Sequence, residues 1–90
     1  MNEYVLNKAN ESTAAFMTDK AAFADRRQFV QNLGWLLSQT RDGVLGCDLI
    51  SPSKSEEYVI VTYRGGGQKK INVFMDSYAA IVKDVAKHFQ

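Results

Sequence analysis

Few side chains in this sequence could do covalent or metal chemistry. Cys47 is the only cysteine and His88 the only histidine. A catalytic thiolate needs a base or a positive neighbour in a partly open site, whereas Cys47 lies between Leu45 and Leu49 in the alternation of a buried strand face. His88 falls at the end of an expected helix, where positive charge is favoured. We therefore predict no catalytic residues, no metal site and no cofactor, and expect a protein that is not an enzyme.

A small basic cluster surrounds a run of three glycines. Arg64 precedes Gly65–Gly67, Lys69 and Lys70 follow it, and residues 58–75 contain no acidic residue. Glycine loops that bind phosphate normally lead into a helix N-terminus, but this run leads into an expected strand, so a hairpin turn explains it better. The cluster still suggests contact with an anion. The candidate anion-binding residues are Arg64, Lys69, Lys70 and Arg26.

Arg26 falls in the middle of the apolar stripe of an expected long helix. In the interpretation that we favour, its methylenes cover the edge of the core and its guanidinium reaches water. In the alternative, a partly buried guanidinium pairs with a carboxylate or receives an anionic ligand.

Trp35 projects away from the same apolar stripe, among glutamines and an asparagine. An exposed tryptophan on a polar helical face is typical of a protein-binding hot spot. The alternative is that Gly34 breaks the helix and returns Trp35 to the core. A second apolar patch is expected on the outer face of the sheet, covered by Tyr4–Leu6, by Phe16 and Met17, or by another chain. The candidate protein-contact residues are Trp35, Gln31, Gln39, Tyr58, Ile60 and Phe74.

A long amphipathic helix is expected to precede the strands. Thr18 or Asp19 would cap its first turn, and the apolar pattern continues to about Gln39. Gly34 lies inside the pattern and marks either a close approach by a neighbouring element or a bend. Gly43 suits the left-handed residue that closes a helix. The residues expected on the core face are Ala22, Phe23, Phe29, Val30, Leu33, Leu36 and Leu37.

Two shorter elements are expected before that helix. Tyr4–Leu6 is a candidate strand, and Ala14–Met17 forms either one helical turn or the beginning of the long helix.

Three strands follow the long helix. The first is expected at Val44–Ile50, because Pro52 stops it from continuing. Alternation assigns one face of each strand to the helices. The inward residues are Leu45, Cys47 and Leu49, then Val59, Val61 and Tyr63, then Ile71, Val73 and Met75.

The glycine run also sets the expected hairpin register. A three-residue loop at Gly65–Gly67 places Val61 opposite Ile71, so both apolar sets face the same side of the sheet. Such a loop needs a residue with positive φ, which glycine adopts without strain, and we expect a glycine bulge at Gly67. The same register pairs Tyr58 with Phe74 and Ile60 with Asn72 on the outer face.

The chain is expected to end in an amphipathic helix capped by Asp76 or Ser77. Its apolar stripe comprises Tyr78, Ile81, Val82, Val85, Ala86 and Phe89. Both helices should pack on one face of the antiparallel sheet. The sequence therefore predicts a two-layer α+β fold in a single domain, residues 1–90.

The composition excludes several classes of protein. Of the ninety residues, 46% are hydrophobic and 23% charged, as in an ordinary globular domain. The net charge of +1 argues against a dedicated nucleic-acid binder. A single cysteine excludes an internal disulfide and fits a reducing compartment. Neither a membrane span nor a secretory signal is recognisable, so we expect a cytoplasmic protein without a membrane partner.

These observations favour a small, non-enzymatic module that acts by protein–protein contact, as a homodimer or in a hetero-complex. In general character, rather than in any motif, the chain is similar to small accessory proteins of bacterial viruses and mobile elements. That similarity implies either an inhibitor that binds and blocks a host protein or a protein that sequesters a small anionic molecule. The alternative is binding of a nucleic acid or nucleotide through the basic hairpin tip, with Tyr58 or Phe74 as a stacking platform.

Overall fold

The computed structural model describes the backbone of residues 12–89 and the side chains of residues 20–89. The three strands form one antiparallel sheet in the order β1-β2-β3. The arrangement of a helix, a three-stranded meander and a second helix is the expected α+β fold. The elements are α1 (Ser12–Thr40), β1 (Val44–Ser53), β2 (Glu56–Tyr63), β3 (Gln68–Asn72) and α2 (Tyr78–His88).

Two of the expected features lie outside the described residues. They are the candidate strand at Tyr4–Leu6 and the side chains of Phe16 and Met17, which were expected to contribute to covering the outer face of the sheet.

Helix α1 begins earlier than its capping signals indicate. It starts at Ser12, so Thr18 and Asp19 lie inside it and the predicted N-cap is wrong. Ala14–Met17 belongs to the same helix, because capping preferences are weaker than a continuous run of good helix formers. The expected end is confirmed: α1 stops at Thr40 and Gly43 adopts a positive φ of 87°.

The apolar stripe of α1 is narrower in the structure than in the sequence pattern. Val30 is fully buried, while Ala22 and Leu36 are exposed, so their assignment to the core was wrong. Leu36 projects about 120° around the helix from Val30, beyond the arc that the sheet covers. Partly buried side chains of α1 complete the helix side of the core, namely Phe23, Phe29, Leu33 and Leu37.

A bulge at the start of β1 reverses the expected facing of one residue. Val44 pairs with Tyr63 and Gly46 with Thr62, which leaves Leu45 as an extra residue in β1. An extra residue breaks the alternation of faces. Val44 is consequently buried and Leu45 is 54% exposed, contrary to the prediction that Leu45 faces inward.

β1 also continues through the expected stop. It includes Pro52 and ends at Ser53, so the turn occupies only residues 54–55. β1 is an edge strand, and proline is tolerated at edge positions whose missing N–H would face away from the sheet.

In the β2–β3 hairpin the predicted residues face inward, but the pairing register is shifted by two residues. Val59, not Val61, pairs with Ile71. The loop is Arg64–Gly66 rather than Gly65–Gly67, closed by a hydrogen bond from Tyr63 N to Gly67 O of 2.8 Å. Gly65 and Gly66 both adopt positive φ, and Gly67 does not, so the expected bulge at Gly67 is wrong. On the outer face Tyr58 pairs with Asn72, and Ile60 with Lys70.

β3 ends before its last expected residue. Phe74 N donates to Asn72 Oδ1 at 2.9 Å, and Asp76 N donates to Val73 O at 3.0 Å, which turns the chain out of the sheet. Val73 remains buried, but Met75 adopts a φ of 65° and is 84% exposed, so its predicted place in the core was wrong.

Helix α2 lies beside α1 over the sheet. Ser77 caps it as expected, accepting a hydrogen bond from Ala80 N at 3.1 Å. Ile81 and Val85 are its buried residues. The ring of Phe29 lies 4.8 Å from that of Tyr78, at the start of α2. Other members of its predicted stripe are exposed: Tyr78, Val82 and Ala86.

Candidate contact surfaces

Helix α1 contacts β1 at backbone distance. A Cβ atom added to Gly34 would lie 2.2 Å from the backbone nitrogen of Cys47 and 2.8 Å from its Cβ. Because α1 continues unbroken to Thr40, Gly34 marks a close approach and not a bend. Only glycine permits this separation between the two backbones.

This contact determines where Trp35 projects. Gly34 must face β1, so the next residue points about 100° around the helix, away from the sheet. Trp35 is 62% exposed and Leu36 is 54% exposed. The alternative in which Trp35 returns to the core is therefore wrong. We define the helix surface as the exposed side of α1 that carries Trp35 and Leu36.

The two glutamines predicted to accompany Trp35 have different surroundings. Gln31 Nε2 donates to Asp48 Oδ1 of β1 at 3.2 Å, so Gln31 ties α1 to the sheet. Arg27 reinforces this attachment with bonds of 2.7 and 2.9 Å to the same carboxylate. The hydrogen bonds lower the pKa of Asp48 to about 2, and the bond from Arg27 has the largest effect. Gln39 donates only to Ser38 Oγ, at 3.3 Å, and remains exposed.

The outer face of the sheet is partly apolar. Tyr58 and Ile60 are half-buried there, and Lys70 Nζ lies 4.5 Å above the ring of Tyr58. Phe74 lies in the turn after β3 and is exposed, but it does not pair with Tyr58 as predicted. Tyr58 therefore already carries a cation on its ring, which makes it a poorer platform for a nucleobase.

Arg26 is paired rather than directed to water. Its Nη2 donates to Glu57 Oε1 at 2.5 Å and its Nε to Glu57 Oε2 at 3.1 Å. The same guanidinium donates to the backbone carbonyls of Val73, at 3.3 Å, and of Asp76. Both charged side chains are largely buried, at 17% and 12% exposure. The favoured snorkelling interpretation was wrong, and the pairing alternative describes the structure.

The four candidate anion-binding residues do not form one site. Arg26 lies at the Glu57 end of β2, whereas Arg64 follows Tyr63 at its other end, about 20 Å away along the strand. Lys69 and Lys70 are consecutive in β3, so their side chains leave opposite faces of the sheet. Of the four, Arg64, Lys69 and Lys70 are exposed and lie near the hairpin tip.

A pair of carboxyl groups lies beside Arg26, and the sequence patterns did not reveal it. Asp76 lies beside Asp84. Hydrogen bonding to the Asp84 carboxyl group, then burial and the charge of Asp84, raises the pKa of Asp76 to about 6, while Arg26 acts in the opposite direction. Asp76 Oδ2 is buried and has no hydrogen-bond partner among the described residues, an environment that disfavours the charged carboxylate. Asp76 and Asp84 are eight positions apart in the sequence, whereas side chains in direct contact on a helix are three or four positions apart.

Cys47 and His88, the two residues considered for catalysis, both pack against the sheet or its neighbours. Burial raises the pKa of the Cys47 thiol to about 11, which leaves little thiolate at neutral pH. His88 is half-buried, and its Nε2 lies 2.8 Å from the hydroxyl of Tyr63, so it ties the end of α2 to β2. Within residues 20–89 no group of three or more potential ligands is placed to hold a metal ion. No described helix is long and apolar enough to span a membrane.

The fold and these surfaces define a small two-layer α+β protein with exposed apolar side chains on α1. Comparisons with protein-family models, with curated proteins and with solved structures found no significant match to this chain.

Proposed function

We propose that this protein is a non-enzymatic binding module that acts by protein–protein contact through the helix surface. The observation that carries the proposal is the outward position of Trp35, imposed by the contact between Gly34 and Cys47. A tryptophan that the fold cannot bury leaves a large apolar area in water, and partner binding would remove it.

The proposal includes a cytoplasmic location, in keeping with a single reduced cysteine. It also includes action on a host protein, as in accessory proteins of bacterial viruses and mobile elements. The partner is either a second copy of the chain or a different protein.

The single tryptophan of the chain provides its own probe. Contact through the helix surface should shift Trp35 fluorescence to shorter wavelength as protein or partner concentration rises. Sedimentation then distinguishes a homodimer from a hetero-complex. Trp35→Ala should abolish association, whereas Met75→Ala, which removes a still more exposed side chain elsewhere, should leave it unchanged. Association that survives Trp35→Ala would exclude the helix surface.

Binding of a nucleic acid or nucleotide stays the alternative prediction, now restricted to Arg64, Lys69 and Lys70. It requires affinity that falls steeply with salt. Titration of a labelled oligonucleotide at two salt concentrations tests it, and absence of salt-dependent binding would exclude it.

A further inference from the structure

β3 presents backbone groups that have no partner in the described part of the chain. Val73 N donates to Glu57 O at 2.9 Å, and Tyr63 N donates to Gly67 O at 2.8 Å. In an antiparallel pair, alternate residues direct both backbone groups to the neighbouring strand. Residues 67, 69, 71 and 73 therefore face β2. The N–H and C=O groups of Gln68, Lys70 and Asn72 point away from the sheet, and all three residues are exposed.

The same edge carries positive charge without neutralising carboxylates. Among residues 20–89 the ion pairs are Arg26–Glu57 and Arg27–Asp48, and neither involves Arg64, Lys69 or Lys70. An antiparallel second copy on this edge would bring lysines close to lysines, which is unfavourable. Lysines on edge strands commonly prevent such self-pairing. Pairing with an acidic strand would instead be favourable, because each lysine would gain a carboxylate partner.

We propose that the β3 edge binds an extended, acidic segment of a partner protein by β-strand addition. The inference rests on the proposed function in that both invoke protein contact, but it uses a different surface. Backbone bonds at Gln68, Lys70 and Asn72 would provide the affinity. Lys70 on the outer face and Lys69 on the helix face would select acidic side chains in the added strand.

The test uses a synthetic peptide of alternating glutamate and valine, with a second peptide in which lysine replaces glutamate. Gln68→Pro removes one outward N–H without changing charge, and it should weaken binding of the acidic peptide roughly tenfold. Gln68→Ala controls for loss of the side chain. Lys70→Gln removes the charge, together with its contact to the Tyr58 ring, and should weaken binding roughly threefold. Lys83→Gln, at an exposed lysine of α2, is the matched control and should have no effect.

Amide hydrogen exchange locates the bound peptide. The expected result is slower exchange at Lys70 and Asn72 when the acidic peptide is present, with no change in the presence of the basic one. The far-ultraviolet spectrum of Gln68→Pro must match that of the parent. If that variant does not fold, the acidic peptide with N-methylated backbone replaces it and should fail to bind.

Three outcomes would overturn the inference. They are equal binding by Gln68→Pro and the parent, protection of β1 instead of β3, and preference for an oligonucleotide of the same charge. The proposed function has a separate test, because it fails if association survives Trp35→Ala. Association with a partner that needs Trp35 but neither Gln68 nor Lys70 would support the helix surface and refute strand addition.

Discussion

Gly34 of α1 and Cys47 of β1 lie so close that the space between them has no room for a single methyl group. The contact sets the rotation of α1 over the sheet. It therefore places Val30 in the core and Trp35 in solvent. One backbone contact thus determines both the packing of the helix and the exposure of its candidate contact surface.

Gly34→Ala should destabilise the protein by about 3 kcal/mol, because the added methyl group would overlap backbone that cannot move aside cheaply. Urea denaturation measures the change. Gly46→Ala is the control: it adds the same methyl group to β1 where no atom lies within 4 Å, and it should change stability little. Equal effects of the two substitutions would show that the close approach is not needed.

Adjacent arginines should differ sharply in their contribution to stability. Arg26→Met would leave the largely buried Glu57 without its partner and remove a donor from the Asp76 carbonyl, at a cost of about 3 kcal/mol. Arg27→Met breaks an exposed pair with Asp48, which water screens, so its effect on stability should be much smaller than that of Arg26→Met.

Adding Glu57→Gln to Arg26→Met should recover part of the loss, because it removes the unpaired charge. Thermal or urea unfolding of the set measures this. A larger loss from Arg27→Met than from Arg26→Met would contradict the assignment.

Stability should fall as the pH rises from about 4 to about 6. The pKa of Asp76 is raised from 3.8 to about 6, so within this range the native state holds a proton that the unfolded state has released. Raising the pH removes that proton and, with it, the stabilisation. Asp48 titrates below this range, since its pKa is lowered to about 2.

Asp84→Asn should weaken this dependence, because it removes the neighbouring carboxyl group that raises the pKa of Asp76 most, while burial remains. Urea denaturation at several pH values compares the variant with the parent. An unchanged slope between pH 4 and 6 in the variant would mean that another group is responsible.

The thiol of Cys47 should react slowly in the folded protein. Its pKa of about 11 leaves little thiolate at about pH 8, and burial restricts access. Alkylation with iodoacetamide, followed by mass spectrometry, should be slow in buffer and fast in denaturant. Rapid alkylation of the native protein would return Cys47 to consideration as a nucleophile.

Local patterns predicted the class of fold. They failed where one extra residue shifted the alternation of inward and outward side chains. The alternation in β1 correctly assigned Cys47 and Leu49 inward, but it could not show that Leu45 is bulged outward. The glycine run correctly indicated a three-residue turn with positive φ. Several glycines can close such a turn, however, and the structure uses Gly65 and Gly66 rather than Gly67.

The candidate surfaces depended more on contacts between distant parts of the chain. The position of Trp35 on a polar helical face was visible in the sequence, while its exposure depended on how α1 rotates against β1. The partner of Arg26 lies 31 residues away, and no spacing rule connects them. Asp76 and Asp84 are brought together by the turn before α2, for which local patterns carry no signal.

The sequence by itself determined the two helices, the three strands and most of the residues that face the core, because hydrophobic periodicity and turn chemistry are local. Only the tertiary structure decided that Gly34 contacts Cys47, that Glu57 neutralises Arg26, and that the β3 edge stays open and positively charged in the described chain. These relationships arise when distant segments pack, and packing is set by shape and charge in three dimensions.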